Sequence, residues 1–118
     1  MVADELIGDV LVRVVLVGVL ATAVALSDPV RLGIVSKLLK TPAGMNCTET
    51  TQKLEVSMPK STCSQHYRIL REAGLIVCER RGVDLSSRVR AVELEARFPG
   101  LLASILKSHK KETSRQAR

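Results

Sequence analysis

Aromatic side chains are nearly absent from this chain. It has no tryptophan, and Tyr67 and Phe98 are its only aromatic residues, 2% of the sequence. Proteins that bind single strands, and most sequence-specific RNA modules, stack bases on aromatic rings. We therefore expect no RNA partner, and any nucleic acid that binds should be double-stranded DNA.

Cysteine pairs and catalytic motifs are also missing. The three cysteines, Cys47, Cys63 and Cys78, cannot all pair and form no C-x-x-C motif, so free thiols in a reducing cytoplasm are the simpler expectation. There is no glycine-rich phosphate loop or nucleophile elbow, and His66 and His109 are the only histidines. We predict no enzymatic activity and no cofactor. Redox sensing by one of the thiols stays open as an alternative.

The charge is unevenly distributed. The chain of 118 residues carries a net charge of +6, and its length suits one domain. Residues 1–58 hold five Lys/Arg and six Asp/Glu, a balance of −1, whereas residues 59–118 hold thirteen Lys/Arg and six Asp/Glu, a balance of +7. This excess in the second half predicts a surface that faces phosphates.

The N-terminal segment Val10–Leu26 is apolar apart from Arg13, a glycine and a threonine. The residues before it include Asp4, Glu5 and Asp9, unlike the positive start of a secretory signal. The uncharged stretch Val14–Leu26 has 13 residues, short of the ~20 that a spanning helix needs. A helix that is apolar on nearly all sides must be buried. We expect burial in a dimer interface; an ordinary core helix and a membrane-associated or interaction module are the alternatives.

The segment Lys60–Ile76 carries the strongest local pattern. Cys63, Tyr67 and Leu70 recur at i, i+4 and i+7 and form one apolar stripe of a helix, which Gly74 ends as a C-terminal cap. The opposite side carries short hydrogen-bonding groups and basic groups, the mixture that a helix in the major groove needs. These residues are Ser61, Thr62, Ser64, Gln65, Arg68 and Arg71.

The segments on either side predict the rest of a winged helix-turn-helix. Asp28 and Pro29 begin a helix that continues through Leu39. A short helix from about Thr48 to Glu55 precedes the helix in Lys60–Ile76, which would be the reading helix in the major groove. After it we expect a hairpin, with strands at 76–81 and about 88–92 and a turn between them. A final helical region from Glu93 is broken by a proline. The inward residues of the first helix should be Leu32, Val35 and Leu39.

Three of these segments resemble consecutive signatures of ArsR-type winged-helix repressors. They are Leu26-Ser-Asp-Pro-Val-Arg-Leu-Gly-Ile-Val, the segment Lys60–Ile76, and Glu93-Leu-Glu-Ala-Arg-Phe-Pro-Gly-Leu-Leu. The resemblance spans roughly residues 26–106. It implies a mainly α fold with a small β-hairpin wing, which dimerises through its N- and C-terminal helices and represses transcription from double-stranded DNA.

The resemblance and the charge pattern together predict which residues contact DNA. Thr62 and Gln65 should contact base edges, Ser61 and Ser64 bases or phosphates, and basic residues of the helix and wing mainly phosphates. The remaining predicted DNA contacts are Lys60, His66, Arg68, Arg71, Arg80 and Arg81. For His66, a half-buried packing role competes evenly with a DNA contact. The resemblance implies that Arg31 supports the fold.

The sequence also predicts a dimer interface and the extent of the folded domain. The predicted dimer residues are Leu16, Leu20, Leu101, Leu102 and Ile105. We expect one domain over residues 1–106 and a disordered basic tail over 107–118, in a cytoplasmic homodimer with no membrane partner.

Metal sensing by the familiar site of this family is not expected. That site uses two cysteines one residue apart followed by Asp, but the corresponding segment Met45-Asn-Cys-Thr-Glu-Thr has only one cysteine. One thiolate does not make a soft-metal site. His109, a single histidine among lysines, is expected to be solvated.

Overall fold

The protein is described by a computed structural model that covers residues 17–116, with side chains described up to residue 111. Seven of its elements follow the order predicted for a winged helix-turn-helix, preceded by a helix whose described part, α1, is Val17–Ala25. They are α2 Pro29–Leu39, α3 Cys47–Leu54, α4 Lys60–Glu72, β1 Ile76–Arg81, β2 Asp84–Val89, α5 Ala91–Arg97 and α6 Leu101–Gln116. The predicted mainly α fold with a small β-hairpin wing is confirmed. Leu16 and the rest of residues 10–16 lie outside the described residues.

The helix α1 packs against the C-terminal part of the chain. A Cβ atom built at Gly18 would lie 2.7 Å from Cζ of Phe98, so the missing side chain lets the ring approach the helix. The ring also lies beside Thr22, Leu94 and Leu102. The helix α1 therefore contacts Phe98 and the start of α6 within one chain, whereas the N- and C-terminal apolar segments were expected to meet in a dimer interface.

The start of α2 follows the sequence signal closely. The carboxylate of Asp28 accepts hydrogen bonds from the backbone N–H groups of Val30 (2.8 Å) and Arg31 (3.2 Å). Burial alone would raise the pKa of Asp28, but these two hydrogen bonds and the Arg31 guanidinium outweigh it, so the pKa lies below its ordinary value. The cap is thus occupied by an ionised carboxylate at neutral pH.

The buried face of α2 differs from the prediction. Ile34, Val35 and Leu38 are buried, whereas Leu32 and Leu39 are only partly buried at the edge of the core. The prediction followed one i, i+3, i+7 series. The buried residues instead lie on the neighbouring face, at Ile34, Val35 and Leu38. Leu39 is only partly buried because it lies at the boundary where α2 approaches α6.

A short hydrogen-bonded chain joins α3 to α4. The hydroxyl of Thr50 donates to the carbonyl of Asn46 (2.8 Å), and the hydroxyl of Tyr67 bonds to the same threonine oxygen. Thr50 is fully buried and Tyr67 is 6% exposed, and burial raises the pKa of the Tyr67 hydroxyl. The tyrosine is therefore a neutral donor that fixes the angle between the two helices.

Three boundaries differ from the predicted ones. The hairpin turn is only two residues long, Gly82 and Val83, because β2 starts at Asp84 rather than near 88. The helix α5 starts at Ala91 rather than Glu93. The last helix runs to Gln116, whereas a disordered tail was expected from 107; this stretch lacks apolar periodicity but is rich in lysine and other good helix formers.

No single helix among residues 17–116 is long and apolar enough to cross a membrane. The helices α1 and α2 reach that length and composition only as a pair, and they are bent by 99° at the break between them.

Candidate nucleic-acid interface

The helix α4 presents one face to the core and one to solvent. Cys63, Tyr67 and Leu70 are buried, as the apolar stripe predicted. The residue before the helix, Pro59, makes no side-chain cap, so the N–H groups of the first turn are left for another partner. All seven predicted contacts with short polar or basic side chains on this helix are exposed. They are Lys60, Ser61, Thr62, Ser64, Gln65, Arg68 and Arg71.

His66 does not belong to this exposed face. It is half-buried, and its Nδ1 lies 3.4 Å from Nη1 of Arg31. The same guanidinium donates from Nε to the carbonyl of Ala25 (2.6 Å) and lies 3.8 Å from the Asp28 carboxylate. The geometry agrees with the packing alternative for His66 and with the fold-supporting role expected of Arg31.

The basic residues of α4 are not equivalent. Arg68 is held by Glu72 one turn further along, with Nε 3.1 Å from the carboxylate. Both side chains are exposed, so this ion pair is weak and open to exchange with a phosphate. Lys60 and Arg71 line the groove beside the wing together with Arg68, which gives three cations along one wall.

The wing is a two-stranded antiparallel hairpin in which Arg80 and Arg81 are exposed near the turn. Arg81 lies opposite Asp84 and Arg80 opposite Leu85. Gly82 has φ +64, a conformation that favours glycine, and the next residue, Val83, is 97% exposed at the tip. The turn thus projects from the hairpin, with two arginines at its base.

A backbone bridge holds the wing against the helix-turn-helix unit. The N–H of Met45 donates to the carbonyl of Ser87 (3.0 Å), and the N–H of Ser87 donates back (2.9 Å). Gly44 next to the bridge has φ +91, and a Cβ there would lie 2.3 Å from the Ser86 hydroxyl. A side chain at this position would displace the Ser86 hydroxyl and press on the Ser87 carbonyl, 3.0 Å away.

An open groove of about 440 Å³ lies between the wing, α4 and the start of α3. Thr48, exposed in the first turn of α3, lines it and was not among the predicted contacts. The sequence did contain a signal for it: Asn46 and Glu49 have the spacing of a capping box, which the structure forms. Such a box marks a helix N-terminus, where anions bind favourably.

The three thiols are free, and Cys63 is buried. Its burial, with the Cys47 thiol beside it, raises the pKa of the Cys63 thiol to about 12. Over residues 17–116, no group of three or more His, Cys, Asp and Glu side chains could hold a metal ion. Cys63 is therefore a neutral packing residue at neutral pH.

Comparison with known proteins identifies the same unit. Residues 26–79 match the helix-turn-helix domain family, and no curated protein matches the sequence. Among solved structures, an ArsR-like transcriptional regulator from Rhodococcus sp. RHA1 aligns with a TM-score of 0.57 at 20% identity, covering 86% of this chain and 87% of that one.

Two further structures align over most of both chains. HlyU from Vibrio cholerae N16961 gives a TM-score of 0.60 at 23% identity, covering 80% of this chain and 90% of that one. The transcriptional repressor BigR from Xylella fastidiosa gives 0.52 at 24% identity, with coverages of 80% and 95%. The resemblance predicted from the sequence is thereby confirmed: the chain contains a helix-turn-helix domain and has the winged-helix fold of ArsR-type transcriptional regulators.

Proposed function

We propose that this protein is a non-enzymatic transcriptional repressor that binds double-stranded DNA in the cytoplasm as a homodimer. The observation that supports this most is the exposed polar and basic face of α4 beside an arginine-bearing wing. The structurally similar proteins include an ArsR-like transcriptional regulator and a transcriptional repressor.

The exposed face of α4 divides into two chemical groups. Thr62 and Gln65 supply a methyl group and an amide that match thymine and adenine edges in the major groove. Lys60 and Arg71 with the wing arginines supply cations that neutralise phosphates and set the register without reading sequence. Arg68 joins the second group once it exchanges Glu72 for a phosphate.

Substitutions in the two groups should have different signatures. Gln65→Ala should weaken binding to the selected site by about 1–3 kcal/mol and relax specificity at one position. Arg80→Ala with Arg81→Ala should weaken all sequences alike and flatten the dependence of affinity on salt.

The measurement is a fluorescence titration against a site selected from random duplexes, repeated over a range of salt concentrations. Gln52→Ala is the matched control, because Gln52 is exposed on α3 and does not line the groove. Unchanged affinity in both test variants would remove this face from the interface.

The proposed dimer rests on an apolar stripe of α1. Val17, Leu20 and Val24 recur at i, i+3 and i+7 and are 64%, 63% and 65% exposed. Ile69 and Ala73 at the end of α4 border the same surface, an open apolar depression of about 430 Å³. A contiguous exposed apolar patch of this kind marks an interaction site.

The predicted C-terminal contribution is more limited. Leu101, Leu102 and Ile105 are half-buried, and Leu102 and Ile105 already pack against the core of their own chain. We therefore place Leu20 at the centre of the proposed interface. Leu101, Leu102 and Ile105 of α6 lie at its edge.

Leu20→Glu should give a monomer that loses tight operator binding, although no DNA-facing residue changes. Val92→Glu is the control, since Val92 is 85% exposed on α5 as an isolated apolar residue. Sedimentation at micromolar concentration decides the point. A wild-type protein that sediments as a monomer and still binds its site tightly would contradict the dimer.

A two-fold dimer also predicts the form of the operator. Two reading helices would enter successive major grooves on one side of the duplex, about 34 Å apart. The selected sites should accordingly contain an imperfect inverted repeat with half-site centres about one helical turn apart.

A further inference from the structure

Another open groove has no residue of the reading helix among its described lining. It lies between α2 and α6, has a volume of about 720 Å³ and is lined by residues of α2, α6 and the end of α3. Sites for small organic ligands measure roughly 300–1,000 Å³. The groove is therefore large enough for one such ligand.

The floor of the groove is apolar. Leu39, Leu54 and Leu106 line it and are each only partly buried. Leu54 reaches the floor across Gly33, where a Cβ would lie 3.1 Å from its Cδ2 atom. Glycine within a helix costs stability relative to alanine, and here it opens the space that the leucine occupies.

The described residues on the rim of the groove carry charge of one sign. Lys37 and Lys40 lie on the α2 side, and Lys107 and Lys110 on the α6 side. No aspartate or glutamate belongs to the described lining. Four ammonium groups around an apolar floor, without a carboxylate among them, match a ligand that has an apolar body and an anionic head.

We propose that this groove binds a small amphipathic anion, an aliphatic chain that ends in a carboxylate or a phosphate. The chain lies on the leucine floor, and the head group pairs with ammonium groups from both helices. Lysine suits either head group, because its ammonium is a point charge that requires no fixed planar geometry. This site does not depend on the proposed DNA contacts.

The probe for the test is 11-(dansylamino)undecanoic acid, titrated against the full chain and followed by its fluorescence. The chain has no tryptophan, so protein emission does not overlap with excitation of the probe. We expect saturable binding of one probe per chain, displaced by decanoate or decyl phosphate. The methyl ester of the probe should bind about tenfold more weakly, because it lacks the charge that the lysines recognise.

Two variants separate the rim from the floor. Lys37→Gln with Lys107→Gln should weaken binding of the acid about tenfold and leave the ester unaffected. Ala103→Leu fills the floor from an exposed position on α6 and should weaken acid and ester alike. Lys111→Gln, exposed on α6 outside the groove, is the control and should bind like the wild type.

Circular dichroism and thermal unfolding establish that each variant is folded. Equal binding of acid and ester by the wild type would overturn the anionic preference. Wild-type binding by Ala103→Leu would place the probe elsewhere, and no binding at all would mean that a second copy or another part of the chain covers the groove. Each of these results refutes the proposal of an amphipathic anion in this groove while leaving the DNA titrations of the proposed function unaffected.

Discussion

The buried hydroxyl pair of Thr50 and Tyr67 predicts unequal costs for removing its two members. In Tyr67→Phe the threonine hydroxyl still donates to the carbonyl of Asn46, so only one hydrogen bond is lost, about 1 kcal/mol. In Thr50→Val the tyrosine hydroxyl stays buried without an acceptor, at about 1–3 kcal/mol. The Asn46 carbonyl is not orphaned, because it also accepts from the N–H of Thr50 (3.0 Å).

The double variant should therefore lose less stability than the sum of the two single variants, because it also removes the Tyr67 hydroxyl that Thr50→Val alone leaves unpaired. The measurement is urea unfolding of all four proteins, followed by far-ultraviolet circular dichroism. Protein concentration is held constant, because association would contribute to stability. Additive costs, or a Thr50→Val variant no less stable than Tyr67→Phe, would refute the assigned direction of the hydrogen bonds.

Two other substitutions test the contact of α1 with Phe98 and the N-terminal cap of α2. Gly18→Ala should lower the free energy of unfolding by about 1 kcal/mol, because the new methyl group overlaps the Phe98 ring; in a Phe98→Leu background the same change should stabilise, and stabilisation in the wild-type background would contradict the contact. Asp28→Ala should cost about 1 kcal/mol at neutral pH through loss of the cap. Since the pKa of Asp28 is lowered in the folded state, this stabilisation is present above about pH 4 and is lost as the pH falls through the lowered value. The gap between wild type and Asp28→Ala in unfolding midpoints should shrink accordingly, whereas the gap between Asp28→Asn and Asp28→Ala should be smaller and independent of pH.

The sequence predicted best where a local signal and the tertiary environment agree. The stripe of Cys63, Tyr67 and Leu70 and the cap at Asp28 depend on neighbours within one or two turns, and both are confirmed. The buried face of α2 was misplaced because it depends on where α6 crosses it, and that crossing has no local signal at Leu39. The role of His66 could not be resolved for the same reason, since its partner Arg31 is 35 residues away.

The two proposed sites also differ in how far local sequence signals could predict them. The exposed face of α4 follows from helical periodicity alone, and the wing arginines follow from the position of the strand. The groove between α2 and α6 could not be predicted, because its lysines come from segments about 70 residues apart and α6 was expected to end before Lys107. In the sequence, the leucines of its floor look like ordinary core residues. The structure shows that Leu39 and Leu106 are only partly buried.

Arg31 makes the positions of α1 and α4 depend on each other. Its guanidinium binds the last turn of α1 through the Ala25 carbonyl and lies beside His66 on the rear of the reading helix. In a dimer formed through α1, this side chain would act as a spacer between the symmetry axis and each reading helix. A shorter cation, as in Arg31→Lys, should then alter which separations between half-sites are tolerated, while the bases preferred within each half-site stay the same.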